Sequence, residues 1–108
     1  MLDKMTILTA DSFNGFIGSR DFLLLIFKNN CPLCKVMMAV IEKCLPAFPD
    51  LVVAGVNSEE NPTILTDLDV SKVPTVLIYK NGVPSARRSG VMRPAELSAL
   101  ISKSQAQG

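Results

Sequence analysis

Residues 22–35 read Phe22-Leu23-Leu24-Leu25-Ile26-Phe27-Lys28-Asn29-Asn30-Cys31-Pro32-Leu33-Cys34-Lys35. The first six form a continuous apolar run, not an alternating one, which is the pattern of a strand covered on both faces in the middle of a sheet. Asn29 and Asn30 break the run. From Pro32 the period changes: Met37, Val40, Ile41 and Cys44 recur on one helical face, Lys35 and Glu42 lie opposite, and Pro46 stops the helix after Leu45. A buried strand thus leads straight into a helix, with Cys31 at or just before its N-terminus.

Working outward, Met5 to Leu8 reads as a short edge strand, and Thr9, Asp11 or Ser12 can cap a helix striped by Phe13, Phe16 and Ile17. Leu51 to Val56 is a second buried strand, reached by a right-handed crossover and therefore parallel to the first. Asn61-Pro62 suits a helix start, with Asn as cap and Pro in the first helical position, and a short helix is expected to about Leu68. Val73-Pro74 precedes a strand ending at Tyr79, and Asn81-Gly82 signals a hairpin that returns Pro84 to Ser89 antiparallel at the sheet edge, where a proline is tolerated. Pro94 opens a last helix with Leu97, Leu100 and Ile101 in one stripe, and residues from Ser102 read as a frayed polar tail. The order βαβαβαββα predicts a single α/β domain over residues 1–108, a central mixed sheet flanked by helices.

Composition narrows the chemistry. The chain has 108 residues, 48% hydrophobic and 19% charged, with a formal net charge of +1 and no run of like charges, so neither nucleic acid nor a membrane surface is an expected partner. His is absent, which excludes Ser-His-Asp and Cys-His mechanisms and leaves three cysteines as the principal reactive groups. Three is too few for a disulfide-stapled secreted scaffold. The start of the chain is unlike a secretory signal, and the run Phe22 to Phe27 is about a third of the ~20 residues needed to cross a bilayer, so a cytoplasmic location is expected.

At a helix start, unpaired amides and the helix dipole favour a thiolate, and Lys35 adds a positive charge. The two-residue spacing puts the second sulfur within bonding reach of the first across one turn. Cys31 is expected to be exposed and attacking, Cys34 partly buried and resolving. A C-x-x-C pair alone reads equally well as half of a zinc or iron–sulfur site. Against that stands Cys44, ten residues on and roughly 15 Å along the helix axis, and the lack of any imidazole; no metal or organic cofactor is expected, only a redox-active Cys31–Cys34 disulfide. Cys44 shares its face with Met37, Val40 and Ile41 and reads as a small core residue.

From about Thr6 to Ile101 the chain resembles the thioredoxin family. The resemblance rests on the strand leading into Cys31-Pro32-Leu33-Cys34-Lys35, the Asn57-Ser58-Glu59-Glu60-Asn61-Pro62 segment, Val73-Pro74-Thr75, the Lys80-Asn81-Gly82 hairpin and Gly90. It implies a thioredoxin fold, a cis Pro74 beside the dithiol, and a Val73 backbone that pairs with an extended substrate strand; Pro32, Leu33 and Gly90 complete the implied substrate surface. It further implies a monomeric protein-disulfide oxidoreductase whose partners are disulfide-containing client proteins and a reductase, in the family usually an NADPH-dependent flavoenzyme, thioredoxin reductase.

The departures are specific. Asn30 replaces the Trp that the family carries before the first cysteine, and Pro32-Leu33 replaces Gly-Pro. Leu25 stands where the family buries an Asp that takes the resolving thiol's proton, and Gly55 where a Lys accompanies it. Resolution of mixed disulfides is therefore expected to be slow unless water or a carboxylate such as Glu59 substitutes. Proline directly after the first cysteine is similar to glutaredoxins and periplasmic disulfide oxidants, but Gly90-Val91-Met92-Arg93 does not match the glutathione-holding element of glutaredoxins. The leading expectation is a reductant of protein disulfides; the alternative is a redox-poised binding module dedicated to one partner.

Overall fold

The computed structural model describes residues 4–18 and 20–106. Its elements are β1 (Thr6–Leu8), α1 (Ala10–Ile17), β2 (Phe22–Phe27), α2 (Pro32–Cys44), a single 3₁₀ turn (Leu45–Ala47), β3 (Val52–Asn57), α3 (Thr63–Asp67), β4 (Thr75–Lys80), β5 (Val83–Ser89) and α4 (Pro94–Ala106). The strands form one sheet in the order β1-β3-β2-β4-β5. β1, β3 and β2 run parallel, while β4 pairs antiparallel with β2 and β5 antiparallel with β4. This is the α/β class and mixed sheet expected from the order of elements.

The continuous apolar run explains why β2 is central. Phe22, Leu24 and Ile26 pack on one face with Phe13 of α1, Ile64 of α3 and Tyr79, while Leu23 and Leu25 pack on the other with Met37 and Ile41 of α2 and Leu97 and Ile101 of α4. Residues 22–26 are fully buried, so no alternation in polarity survives. On the α1 face the Tyr79 ring stacks on Phe22 at 4.8 Å and meets Phe13 edge-on at 5.8 Å; burial pushes the Tyr79 hydroxyl pKa up.

Local chemistry sets the helix ends. Thr9 Oγ1 accepts the Ser12 N–H while Ser12 Oγ accepts the Thr9 N–H, a reciprocal cap for α1. At α4 the main-chain N–H and Nε of Arg93 both donate to Glu96 Oε1, at 3.0 and 3.1 Å, holding the Glu96 carboxyl below its usual range. A depressed carboxylate pKa means this contact operates at neutral pH and is lost on acidification.

Two expectations are corrected. Asn61 does not cap α3, which starts at Thr63 with Pro62 before it and no side-chain cap; the Asn61 amide instead donates to Asn57 O and accepts the Ala10 N–H, tying β3 to the start of α1. A long-range bond satisfies the α1 N-terminus and takes the side chain away from its local role. The polar stretch from Ser102 is not frayed, because α4 continues to Ala106; residues 107–108 lie outside the described residues. Lys80 at the end of β4 donates through Nζ to Ser104 O (3.3 Å) and Gln105 O (2.9 Å), carbonyls the helix end leaves without partners, and Ser104 is buried.

Replacing Lys80 with Met keeps the aliphatic stem and removes both bonds. The expected cost is about 1–2 kcal/mol by urea denaturation, with amide exchange accelerated in the last turn of α4 and not in β2.

Candidate active site

The strand register gathers the sequence-marked residues at one end of the sheet. Phe27, the last residue of β2, pairs with Asn57, the last of β3; Ile26 pairs with Thr75, the first of β4, and Thr75 pairs with Ser89, the last of β5. The segments that follow or precede these residues therefore share one rim: Lys28 to Cys34, Ser58 to Pro62, Lys72 to Pro74, and Gly90 to Arg93. The rim lies beyond the carboxyl ends of the parallel strands where β2 sits between β3 and β4, the position at which open α/β sheets place their sites.

Cys31 is the N-cap of α2. Its backbone is extended (φ −116°, ψ 99°), Pro32 occupies the first helical turn, and Cys31 Sγ accepts the Cys34 N–H at 3.2 Å. A sulfur here holds an amide that the helix cannot satisfy internally, and the same amide stabilises negative charge on the sulfur. A disulfide joins Cys31 to Cys34, whose Cα atoms are 5.2 Å apart. Cys31 is the more accessible of the two but only 6% exposed, against 1% for Cys34, so the expectation of an exposed Cys31 is corrected: its sulfur is covered in the disulfide. In the oxidised pair Sγ is turned over the first turn of the helix, against an amide and the second sulfur.

The surroundings are joined by backbone and sulfur contacts. The Val73–Pro74 peptide bond is cis, and Pro74 is buried with its carbonyl accepting the Gly90 N–H at 2.8 Å. Gly90 has φ +85°, a conformation that glycine adopts without steric cost. Thr75 Oγ1 donates to Lys72 O and contacts Ser89 Oγ, closing the loop before β4 onto β5. Two residues past Gly90, the Met92 N–H donates to Met37 Sδ at 3.5 Å, linking this loop to α2 one turn after Cys34. Leu33, Val36 and Val91 are 55%, 45% and 44% exposed, an apolar fringe around the buried sulfurs. Neither the Met37–Met92 contact nor the polar ties of Asn29 described below follow from periodicity; the Asn57–Pro62 segment was singled out in the sequence only for its resemblance.

The interior beneath α2 contains no proton acceptor at the two positions marked in the sequence. Leu25 is fully buried between Gly55 and Val76 on the face that packs against α2. A Cβ on Gly55 would meet Met5 Sδ at 2.6 Å and Phe27 Cε1 at 3.1 Å, so the thioether of Met5 already fills the space a longer side chain would need. Glu59 is exposed, and its Oε1 accepts the Asn29 N–H at 2.9 Å. Its carboxylate is thereby committed to the loop before Cys31.

Cys44 is buried and outside the disulfide; its thiol donates to Pro94 O and its sulfur accepts from Ser98 Oγ, both at 3.4 Å, so it pins α2 to α4. Among the described residues no three His, Cys, Asp or Glu side chains are grouped to hold a metal ion, and no helix is long and apolar enough to cross a membrane.

The family model described as Thioredoxin matches residues 4–103. Thioredoxin of Chlamydia pneumoniae is 28% identical over 97 residues, covering 90% of this chain and 95% of that protein. Putative thioredoxin 2 of Streptomyces coelicolor is 29% identical over 99 residues, covering 91% of this chain and 74% of the relative. Among solved structures, thioredoxin f2 of Chlamydomonas reinhardtii superposes with a TM-score of 0.84 at 22% identity, over 94% of this chain and 96% of that one, a likeness of fold. With a match across nearly its whole length, and a linked C-x-x-C pair where a central strand gives way to a helix, the chain belongs to the thioredoxin family of thiol–disulfide oxidoreductases.

Proposed function

We propose that this protein reduces disulfides of client proteins through a mixed disulfide on Cys31. The observation that carries the proposal is the Cys31 sulfur at the N-cap of α2, facing the Cys34 amide. In the reduced protein the Cys31 thiolate attacks one sulfur of a client disulfide; the bond to Cys31 forms as the client bond breaks, and the other client sulfur leaves as a thiolate that takes a proton from water. Cys34, deprotonated, then attacks Cys31 Sγ, releasing the second client sulfur as a thiolate and forming the Cys31–Cys34 disulfide. Two electrons have passed to the client, and a dithiol-regenerating reductase, in this family commonly NADPH-dependent, returns them. Each step exchanges thiol for disulfide, so the cycle calls for no metal or organic cofactor. A reducing cytoplasm suits it, since Cys44 is a thiol that pairs with no other cysteine.

The client is read as an extended segment lying along the rim, its backbone pairing with Val73 beside cis Pro74 and its side chains against Pro32, Leu33 and Gly90. The exposure of Leu33 and Val91 supports an apolar contact there. A second role, docking to one dedicated partner with slow general turnover, is favoured by the apolar packing of Leu25 and of Met5 over Gly55, which leaves the Cys34 proton without a buried carboxylate to receive it.

Insulin reduction driven by dithiothreitol tests the proposal. Cys31→Ser is expected to fall to the uncatalysed background, and equal turnover by this variant and the native protein would overturn it. A Cys34→Ser variant is expected to accumulate mixed disulfides with many proteins in a lysate; capture of a single protein would favour the dedicated module.

Resolution should also depend on pH in a particular way. Because the thiolate is the attacking form and no buried carboxylate stands at Leu25 to receive the Cys34 proton, the rate of mixed-disulfide resolution is expected to rise steadily with pH between 6 and 8. Stopped-flow measurement of a preformed mixed disulfide checks this, and a profile flat over that interval would show that a protein group accepts the proton.

A further inference from the structure

The loop between β2 and α2 is short and solvent-facing, yet it must deliver Cys31 to the helix N-cap. Asn29 and Asn30 are both exposed, and Asn30 is left-handed with φ +51°, a conformation that Asn tolerates better than most residues but does not enforce. No large side chain at position 30 anchors the loop by packing. Polar groups from the neighbouring strand hold it at two points instead. Asn57, 6% exposed, donates Nδ2 to Asn29 Oδ1 at 2.9 Å, and Glu59 Oε1 accepts the Asn29 main-chain N–H at 2.9 Å.

The two holding residues are themselves fixed. Asn57 Oδ1 accepts the Glu59 N–H at 2.9 Å, and Asn57 O accepts both the main-chain N–H and the Nδ2 of Asn61. The Ser58 N–H donates to Phe27 O at 2.7 Å, extending the β2–β3 ladder to the edge of the loop. Side chain and main chain of Asn29 are thus pinned to a braced end of β3, two residues before Cys31.

We propose that Asn57 and Glu59 are positioning residues: by clamping Asn29 they set the direction in which the chain enters α2, and so hold Cys31 Sγ against the Cys34 amide. The proposal rests on Cys31 being the nucleophile. Glu59 brings both a negative charge and a hydrogen-bond acceptor to the loop, and the clamp depends on the acceptor, which holds Asn29. Glu59→Gln removes the charge and keeps the acceptor, whereas Glu59→Ala removes both.

The experiment follows iodoacetamide alkylation of Cys31 in the reduced full-length protein at pH 7, mapped by mass spectrometry, with the thiol–disulfide equilibrium against glutathione as a second readout. Glu59 and Asn29 are exposed, so these variants are expected to fold cooperatively, with urea midpoints lowered by no more than the loss of one hydrogen bond each. Cys31 should react about fivefold more slowly in Glu59→Ala than in Glu59→Gln, the scale of one net hydrogen bond. Asn29→Ala, which deletes the bond to Asn57, should slow it similarly against the native protein, and in neither slowed variant should the glutathione equilibrium move toward the dithiol. Equal rates in the two Glu59 variants together with a native rate in Asn29→Ala would overturn the clamp. If native Cys31 reacts no faster than a denatured cysteine and Cys31→Ser still reduces insulin, the nucleophile assignment itself fails; a fast native Cys31 with unchanged variants removes the clamp alone.

Discussion

A sulfur atom caps the N-terminus of α2, and the rest of the site is arranged around that placement. The Cys34 amide that Cys31 Sγ accepts has no partner within the helix, so the bond contributes to the helix start and to the stability of an anionic sulfur at once. It requires Cys31 to remain extended while Pro32 is already helical, and so depends on the chain leaving β2 in a fixed direction. The ladders to β3 and β4 hold β2 on both sides along almost its whole length, which makes the exit point rigid. Beyond it, only Lys28, Asn29 and Asn30 separate the sheet from Cys31.

This chain satisfies the family's architecture with a different interior. Leu25, Met5 and Phe27 meet around Gly55 as an apolar group on the α2 face, where a buried carboxylate and amine would each carry a large desolvation cost unless paired. Apolar packing removes that cost and with it the local proton acceptor. Polar chemistry is displaced to the rim, where Asn29, Asn57, Glu59 and Asn61 bond to one another near solvent. There hydrogen bonds orient backbone at the edge of solvent.

Much of this was legible in the residues. The apolar run 22–27 marked the central strand because burial on both faces erases alternation, and the change of period at Pro32 marked the helix and the place of the cysteines within it. Cys44 was legible as core because it shares a face with Met37 and Ile41, and it is buried there. Asn61 and the Ser102–Ala106 stretch were misleading for one common reason: each has a local pattern, a cap and a polar tail, that a distant partner overrides. The Ala10 N–H donates to the Asn61 side chain, and Lys80 Nζ donates to carbonyls of the last turn of α4.

By itself the sequence determined the order of elements, the two-sided core and the location of the dithiol at a helix start, since each follows from the periodicity and chemistry of residues close along the chain. Only the tertiary structure decided how far Cys31 is covered, what fills the space over Gly55, and how Asn29 is held before Cys31. Those outcomes depend on atoms from segments 28 to 55 residues apart, such as Asn29 with Asn57 or Met37 with Met92, whose meeting is set by strand register and packing.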